Sequence, residues 1–176
     1  AAMKRFRKVY LEISNLCNLK CSFCPGTKRP GRRMSVAEFS ALMPKLRSYT
    51  DYLYFHLMGE PLCHPNLQRY LELAGNEGFK VILTTNGTLL DARGEELISS
   101  GVYKVNLSVH SFEEGEGEKY FSYVNGLADF ADKASKRGVL TVLRLWNKGC
   151  DGGLNDRTLD ILKEKYKDDS GIHLIS

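Results

Sequence analysis

The chain has 176 residues, 43% of them hydrophobic and 26% charged, with a net charge of +4. That length suits one domain with a sizeable core, and the charge is too small to argue for a nucleic-acid partner. No apolar run approaches a membrane span and no signal-peptide pattern opens the chain, so neither a membrane nor a secretory destination is expected.

Ala1 and Ala2 precede Met3 and read as residues left by cloning, which gives one domain over 3–176. Residues 9–13 read as a first strand. Ser35 with Glu38 forms a capping-box pattern ahead of Val36, Phe39, Leu42, Met43 and Leu46, which fall at helical spacing. Residues 52–58 read as a second strand, and Leu67, Tyr70, Leu71 and Ala74 mark a helix stopped near Gly78. A third strand over 80–84 precedes a short helix over 95–99. A fourth strand over 105–110 leads to a long helix over 119–136, stopped by Gly138. Residues 140–145 read as a fifth strand, Asn155 or Asp156 as the cap of a helix running to Tyr166, and 172–175 as a sixth strand with no helix after it. The last strand without its helix reads as a chain truncated at its C-terminus. Alternating strands and helices in this order predict a parallel sheet with outer helices, curled by right-handed crossovers into a partial (β/α)6 barrel whose final helix is absent.

The alternation within strands gives the faces. Val105, Leu107 and Val109 alternate with Asn106, Ser108 and His110; Leu53, Phe55 and Leu57 alternate with Tyr54, His56 and Met58. The apolar set is expected to pack outward on helices and the polar set to point inward, where it suggests a ligand rather than a filled core.

Cys17, Cys21 and Cys24, spaced C-x3-C-x2-C directly after the first strand, carry the chemistry. Three thiolates within eight residues can hold a cluster of soft metal ions and leave one metal without a protein ligand. The other two cysteines, Cys63 and Cys150, are far apart, which makes a poor disulfide framework and fits a reducing, cytoplasmic compartment. The basic run Lys28, Arg29, Arg32, Arg33 reads as a solvated loop or as a contact to an anionic ligand or electron donor. The acidic run Glu113, Glu114, Glu116, Glu118 reads as solvent-exposed.

Together these residues resemble the radical S-adenosylmethionine superfamily. The cysteine motif, with Phe23 ahead of its last cysteine, matches that family's signature. Met58-Gly59-Glu60-Pro61 is similar to its Gly-Gly-Glu-Pro motif, with Met in place of the first Gly. Thr84-Thr85-Asn86-Gly87, Ser108-Val109-His110 and Arg144-Leu145-Trp146-Asn147 close the third, fourth and fifth strands.

The resemblance implies a [4Fe–4S] cluster on Cys17, Cys21 and Cys24, with S-adenosylmethionine chelating the fourth iron. One-electron cleavage of that cofactor would give a 5′-deoxyadenosyl radical that abstracts hydrogen from a substrate. It implies that Gly59, Glu60 and Pro61 serve the methionine amino group and that Ser108 and His110 serve its carboxylate or the ribose. Asn86 would line the pocket, Phe23 would lie near adenine, and Arg144 would neutralise the carboxylate. By alternation Arg144 and Asn147 face opposite ways, so one of the two at most points inward.

The loop after the cysteines is similar to members carrying a SPASM-type extension, which implies a peptide or protein substrate; a glycyl-radical activase is the alternative. A low-potential electron donor of flavodoxin or ferredoxin type is the implied partner. A Cys3His zinc site and a non-catalytic domain are the readings of another class.

Overall fold

The computed structural model describes residues 6–113, 117–147, 149 and 151–167. The predicted strand over 172–175, Cys150, Glu114, Glu116 and the N-terminal Ala1 and Ala2 lie outside the described residues.

Five strands form one parallel sheet in the order β1 (Val9–Tyr10), β2 (Tyr52–Phe55), β3 (Lys80–Thr85), β4 (Lys104–Ser108) and β5 (Leu140–Arg144). The connections carry α1 (Val36–Arg47), α2 (Leu67–Asn76), α3 (Leu90–Ser99) and α4 (Glu118–Lys136), and α5 (Leu154–Lys165) follows β5. This is the α/β, partial-barrel architecture that the alternation predicts. None of the helices is long and apolar enough to cross a membrane among the described residues.

A side chain caps α1, and α2 to α5 start without a side-chain cap bond. At α1 the Ser35 hydroxyl accepts from the Glu38 backbone N–H, and the Glu38 carboxylate accepts from the Ser35 N–H at 2.8 Å, a complete capping box. At α5 the predicted cap is displaced: Gly153, at φ +84°, stands at the N-cap. Asn155 instead turns back to the end of β5, accepting from the Trp146 N–H and donating to its carbonyl, both at 3.0 Å. Helix α3 starts at Leu90, earlier than expected.

The strands are shorter than the hydrophobic pattern suggests. Strand β2 ends at Phe55, which leaves Leu57 55% exposed rather than packed outward. Strand β4 ends at Ser108 and passes into a 3-10 turn over Val109–Ser111 that contains His110. After β1 the chain makes one more bond to the sheet, Leu11 N–H to Tyr54 C=O at 2.8 Å. It then pairs with its own return segment: Ser14 bridges Arg33, and the Met34 N–H reaches Ile13 C=O at 2.8 Å.

The register separates two faces. Leu53, Phe55, Leu83, Val105 and Leu107 are fully buried against Phe39, Met43, Leu67, Tyr70, Leu71, Leu97, Val124 and Leu127 of the helices. That face holds the core, and burial of each such side chain stabilises the fold by about 1.5–3 kcal/mol. The opposite face carries, in successive rows, Tyr10–Tyr54–Ile82–Lys104–Leu140 and then Thr84–Asn106–Val142. Its middle residues Ile82, Thr84 and Asn106 are buried while its edges Tyr10 and Leu140 are 42% and 51% exposed. A sheet whose helices pack on the other face hides its middle and shows its edges when it curls, as a partial barrel does.

Candidate functional site at the C-terminal strand ends

The three cysteines lie on a loop leaving β1, closed at its base by the Ser14–Arg33 bridge. Cys17 and Cys24 are exposed, Cys21 is half-buried, and all three are free thiols. Burial pushes the Cys17 and Cys21 thiols up from their ordinary range. No three His, Cys, Asp or Glu side chains converge on a single-ion cage among the described residues. The donor set is three thiols spread over a loop, which suits a multi-iron cluster in chemistry and in number.

Gly59 seats this loop. A Cβ at that position would stand 2.5 Å from the Ser14 carbonyl oxygen and 2.8 Å from that of Leu16, and its φ is +82°. Only glycine allows that approach. The next residue completes the contact, with Glu60 N–H donating to Leu16 C=O at 2.8 Å.

Glu60 is 2% exposed, and its carboxylate faces the protein. It accepts from Leu62 N–H at 2.9 Å, from the Thr85 hydroxyl at 2.7 Å and from Asn86 N–H at 2.7 Å. Burial raises its pKa, while the three donors pull it back toward ionisation. In this position Glu60 ties the end of β2 to the end of β3, and Pro61 follows, buried, in a 3-10 turn.

Asn86 joins the cysteine loop to this brace. Its amide donates to Asn18 Oδ1 at 3.0 Å and lies 3.9 Å from Cys17 Sγ. Asn18 in turn donates to Thr88 Oγ1 at 2.8 Å and accepts from Cys63 Sγ at 3.7 Å. From the other side, Cys21 Sγ donates to Ser111 C=O at 3.5 Å, and Glu113 accepts from both the N–H and the hydroxyl of Ser22. Those bonds hold the Glu113 carboxyl below its usual range, so the first residue of the acidic run clamps the loop rather than standing free.

Phe23, His110 and Trp146 form an aromatic group at the mouth. Phe23 meets Trp146 edge-on at 4.9 Å and His110 at 5.4 Å; His110 and Trp146 are 5.7 Å apart. The His110 Nδ1 lies 3.2 Å from the Arg144 carbonyl. Ser108 is 8% exposed on the inner face, paired with Arg144, which is exposed; Asn147, past the end of β5, is exposed too.

Two histidines differ. His56 is half-buried, 6.2 Å from the Tyr10 ring, and burial lowers its pKa. His64 is buried, beside Met34 C=O at 3.1 Å and accepting from Asn66 N–H at 3.1 Å, a structural post at the start of α2. In the basic run Arg29 pairs with Glu12 at 2.7 Å and Arg32 with Glu38.

Two contributors escaped the sequence reading. Trp146 belongs to the strand ending Arg144-Leu145-Trp146-Asn147, of which only Arg144 and Asn147 are expected at the cofactor. Tyr123 of α4 donates to Asn86 C=O at 2.6 Å, stacks on Phe112 at 4.4 Å, and has its hydroxyl pKa pushed up by burial. The signal for Tyr123 was a hydroxyl on the helix face that otherwise carries Tyr120, Val124 and Leu127.

A curled parallel sheet with a three-cysteine loop over its C-terminal edge defines a family of iron–sulfur enzymes. The family model of the Radical SAM superfamily matches residues 11–165, and the chain belongs to that superfamily, whose cofactors are a [4Fe–4S] cluster and S-adenosylmethionine. The chain is 29% identical over 174 residues to a probable GTP 3′,8-cyclase of Methanocella arvoryzae, covering 92% of this chain and 55% of that protein. It is 30% identical over 118 residues to the GTP 3′,8-cyclase of Chlorobaculum tepidum, covering 65% of this chain and 35% of that one. The chain thus spans about a third to just over half the length of these curated relatives. Among solved structures, BtrN in complex with AdoMet and 2-DOIA superposes with a TM-score of 0.62 at 26% identity, over 81% of this chain and 58% of BtrN. Streptococcus suis SuiB bound to the precursor peptide SuiA superposes with a TM-score of 0.68 at 18% identity, over 93% of this chain and 38% of SuiB, a likeness of fold.

Proposed function

We propose that this chain carries the core of a radical S-adenosylmethionine enzyme, with Cys17, Cys21 and Cys24 as the ligands of its cluster. The observation that supports this most directly is the loop itself: three free thiols held over the strand ends, seated by Gly59 and tied to β3 through Asn86 and Asn18. When bound, the cluster and S-adenosylmethionine supply reductive cleavage of the sulfonium and a 5′-deoxyadenosyl radical that takes hydrogen from a substrate.

The protein's part is to place and to shield. Glu60 acts as a positioning residue, since its carboxylate is taken up by Leu62, Thr85 and Asn86. The Met58 and Gly59 carbonyls remain the acceptors suited to a cationic amino group, since that of Glu60 accepts from the Cys63 N–H at 3.0 Å. Phe23, His110 and Trp146 form the apolar wall against which an adenine would lie. Ser108, Asn86 and Arg144 supply polar contacts, and Asn147 lies at the rim. Cys17 and Cys24 are exposed, which puts the cluster within reach of a low-potential flavodoxin- or ferredoxin-type donor. The nucleotide-acting relatives favour a small-molecule substrate over a peptide or a glycyl-radical partner; the likeness to SuiB bears on fold alone.

Anaerobic reconstitution followed by dithionite and S-adenosylmethionine tests this. The protein should turn brown and release 5′-deoxyadenosine, and Cys21→Ala should abolish both. Persistent turnover in Cys21→Ala, or a loaded cluster that yields no deoxyadenosine, would refute the reading.

A further inference from the structure

The turn after β3 closes a ring of hydrogen bonds with the cysteine loop. The Asn18 amide donates to Thr88 Oγ1 at 2.8 Å, and the Thr88 hydroxyl donates to Asn86 Oδ1 at 2.7 Å. The Asn86 amide donates back to Asn18 Oδ1 at 3.0 Å. Each group gives one bond and takes one in the same sense, so each bond polarises the next. The Thr88 backbone N–H adds a bond to Asn86 Oδ1 at 3.0 Å, and the Cys63 thiol reaches Asn18 Oδ1 at 3.7 Å.

This ring decides which way the Asn86 amide faces. A backbone N–H only donates, so the Asn86 atom beside that of Thr88 must be the oxygen. The amide nitrogen is then turned to the cysteine loop, where it serves Asn18 and stands 3.9 Å from Cys17 Sγ. A reversed amide would set its nitrogen against the Thr88 N–H and its oxygen against Asn18 Oδ1 and Cys17. The Leu19 N–H also points at Cys17 Sγ, at 3.4 Å. Cys17 thus has two N–H donors, whereas the Cys21 thiol is itself a donor, to Ser111 C=O. Asn86 is buried, so bulk water does not compete for its amide. Hydrogen bonds to the sulfurs tune an iron–sulfur cluster, because an added electron leaves more negative charge for the donors to meet.

We propose that Asn18 and Thr88 are positioning residues that hold the Asn86 N–H on the Cys17 sulfur, and that this contact raises the reduction potential of the cluster. The proposal rests on the reading of Cys17 as a cluster ligand and deepens it: the polar contact of Asn86 is made through Cys17. An electron donor then needs less driving force to reduce the cluster.

The reconstituted full chain is titrated electrochemically without air, and the reduced cluster is counted by electron paramagnetic resonance. Thr88→Val removes the hydroxyl and keeps the shape. Its midpoint should move to more negative potential, so that the ratio of reduced to oxidised cluster at the native midpoint falls severalfold. Thr88→Ser keeps the hydroxyl and should keep the native midpoint. Asn86→Ala removes the donor itself and should shift the midpoint further than Thr88→Val. Asn125→Ala, in which the lost amide bonds Phe121 C=O of its own helix, should leave it unchanged. A native midpoint in Thr88→Val and Asn86→Ala proteins of native iron content would overturn the proposal.

A second measurement needs no cluster. Cluster-free Asn18→Ala, Thr88→Val and the double variant are unfolded in urea. The double variant should lose less stability than the two single losses added, since either change opens the same ring. Additive losses would show that the ring does not act as a unit and would overturn the proposal, even where a variant takes up no iron. A native chain that takes up no iron would refute the cluster reading and the proposal together. A loaded cluster with an unmoved midpoint refutes the proposal alone.

Discussion

The two faces of the sheet are made by the same strands, one residue apart, and they are built on opposite rules. Toward the helices, Leu53, Phe55, Leu83, Val105 and Leu107 are sealed from water. On the inner side the same strands present Tyr54, Ile82, Thr84, Asn106 and Lys104, apolar only in part, with exposed edges. The outer face therefore carries the stability of the fold, and the inner face is free to vary with function. A surface that did not need polar groups for a ligand would gain stability from apolar packing like its opposite side.

This division can be broken most severely from outside. Leu83→Ala removes a fully buried side chain from β3 and should lower unfolding free energy by about 3 kcal/mol. Val142→Ala, on the inner face and 37% exposed, should cost well under half of that. Urea denaturation of both variants checks the pair. Equal losses would mean that the inner face is core after all, and the contrast drawn between the faces would fail.

The rim between the faces comes next. Glu60→Ala strips the acceptor from three buried donors, at a cost of about 2 kcal/mol. Glu60→Gln retains one acceptor oxygen and should lose less. The telling measurement is cluster content after reconstitution. If Glu60 acts by joining β2 to β3, iron incorporation should fall in step with stability across the two variants. A Glu60→Gln protein of near-native stability that binds no S-adenosylmethionine would instead make Glu60 a direct contact. On the inner face, Asn106 donates to Thr84 at 3.3 Å, and Asn106→Ala should cost about 1 kcal/mol, less than either.

The fold was legible because period-2 and period-3.6 patterns alternate along the chain and because its breaks fall at glycines and caps. The ends of strands were not. Leu57 and Val109 continue an apolar alternation, but the Gly59 turn and the turn at Val109–Ser111 end the ladder first. Asn155 has the chemistry of a helix cap, and a long-range demand from Trp146 takes its side chain instead. The site was legible as motifs, since cysteine spacing and strand-end polarity are local. The direction in which Glu60 points was not, because it depends on Thr85 and Asn86, residues of the next strand. Trp146 and Tyr123 belong to the site through packing between elements, which single-residue patterns do not record.

The smallest effect concerns Glu12, two residues past the end of β1 and paired with Arg29. The Glu12 side chain is 15% exposed, and the Arg29 guanidinium holds its carboxyl below the usual value of 4.5. A depressed carboxyl stabilises the native state above the unfolded value and loses that contribution as pH falls through the folded one. Native Glu12 should therefore add a component of acid sensitivity just below pH 4.5, and Arg29→Gln should shrink it, seen as a smaller difference in urea midpoint between pH 7 and pH 3.5. The pair lies at the surface, so the change should be slight. An acid midpoint that moves equally in the native protein and in Arg29→Gln would mean that Arg29 does not hold the Glu12 carboxyl down.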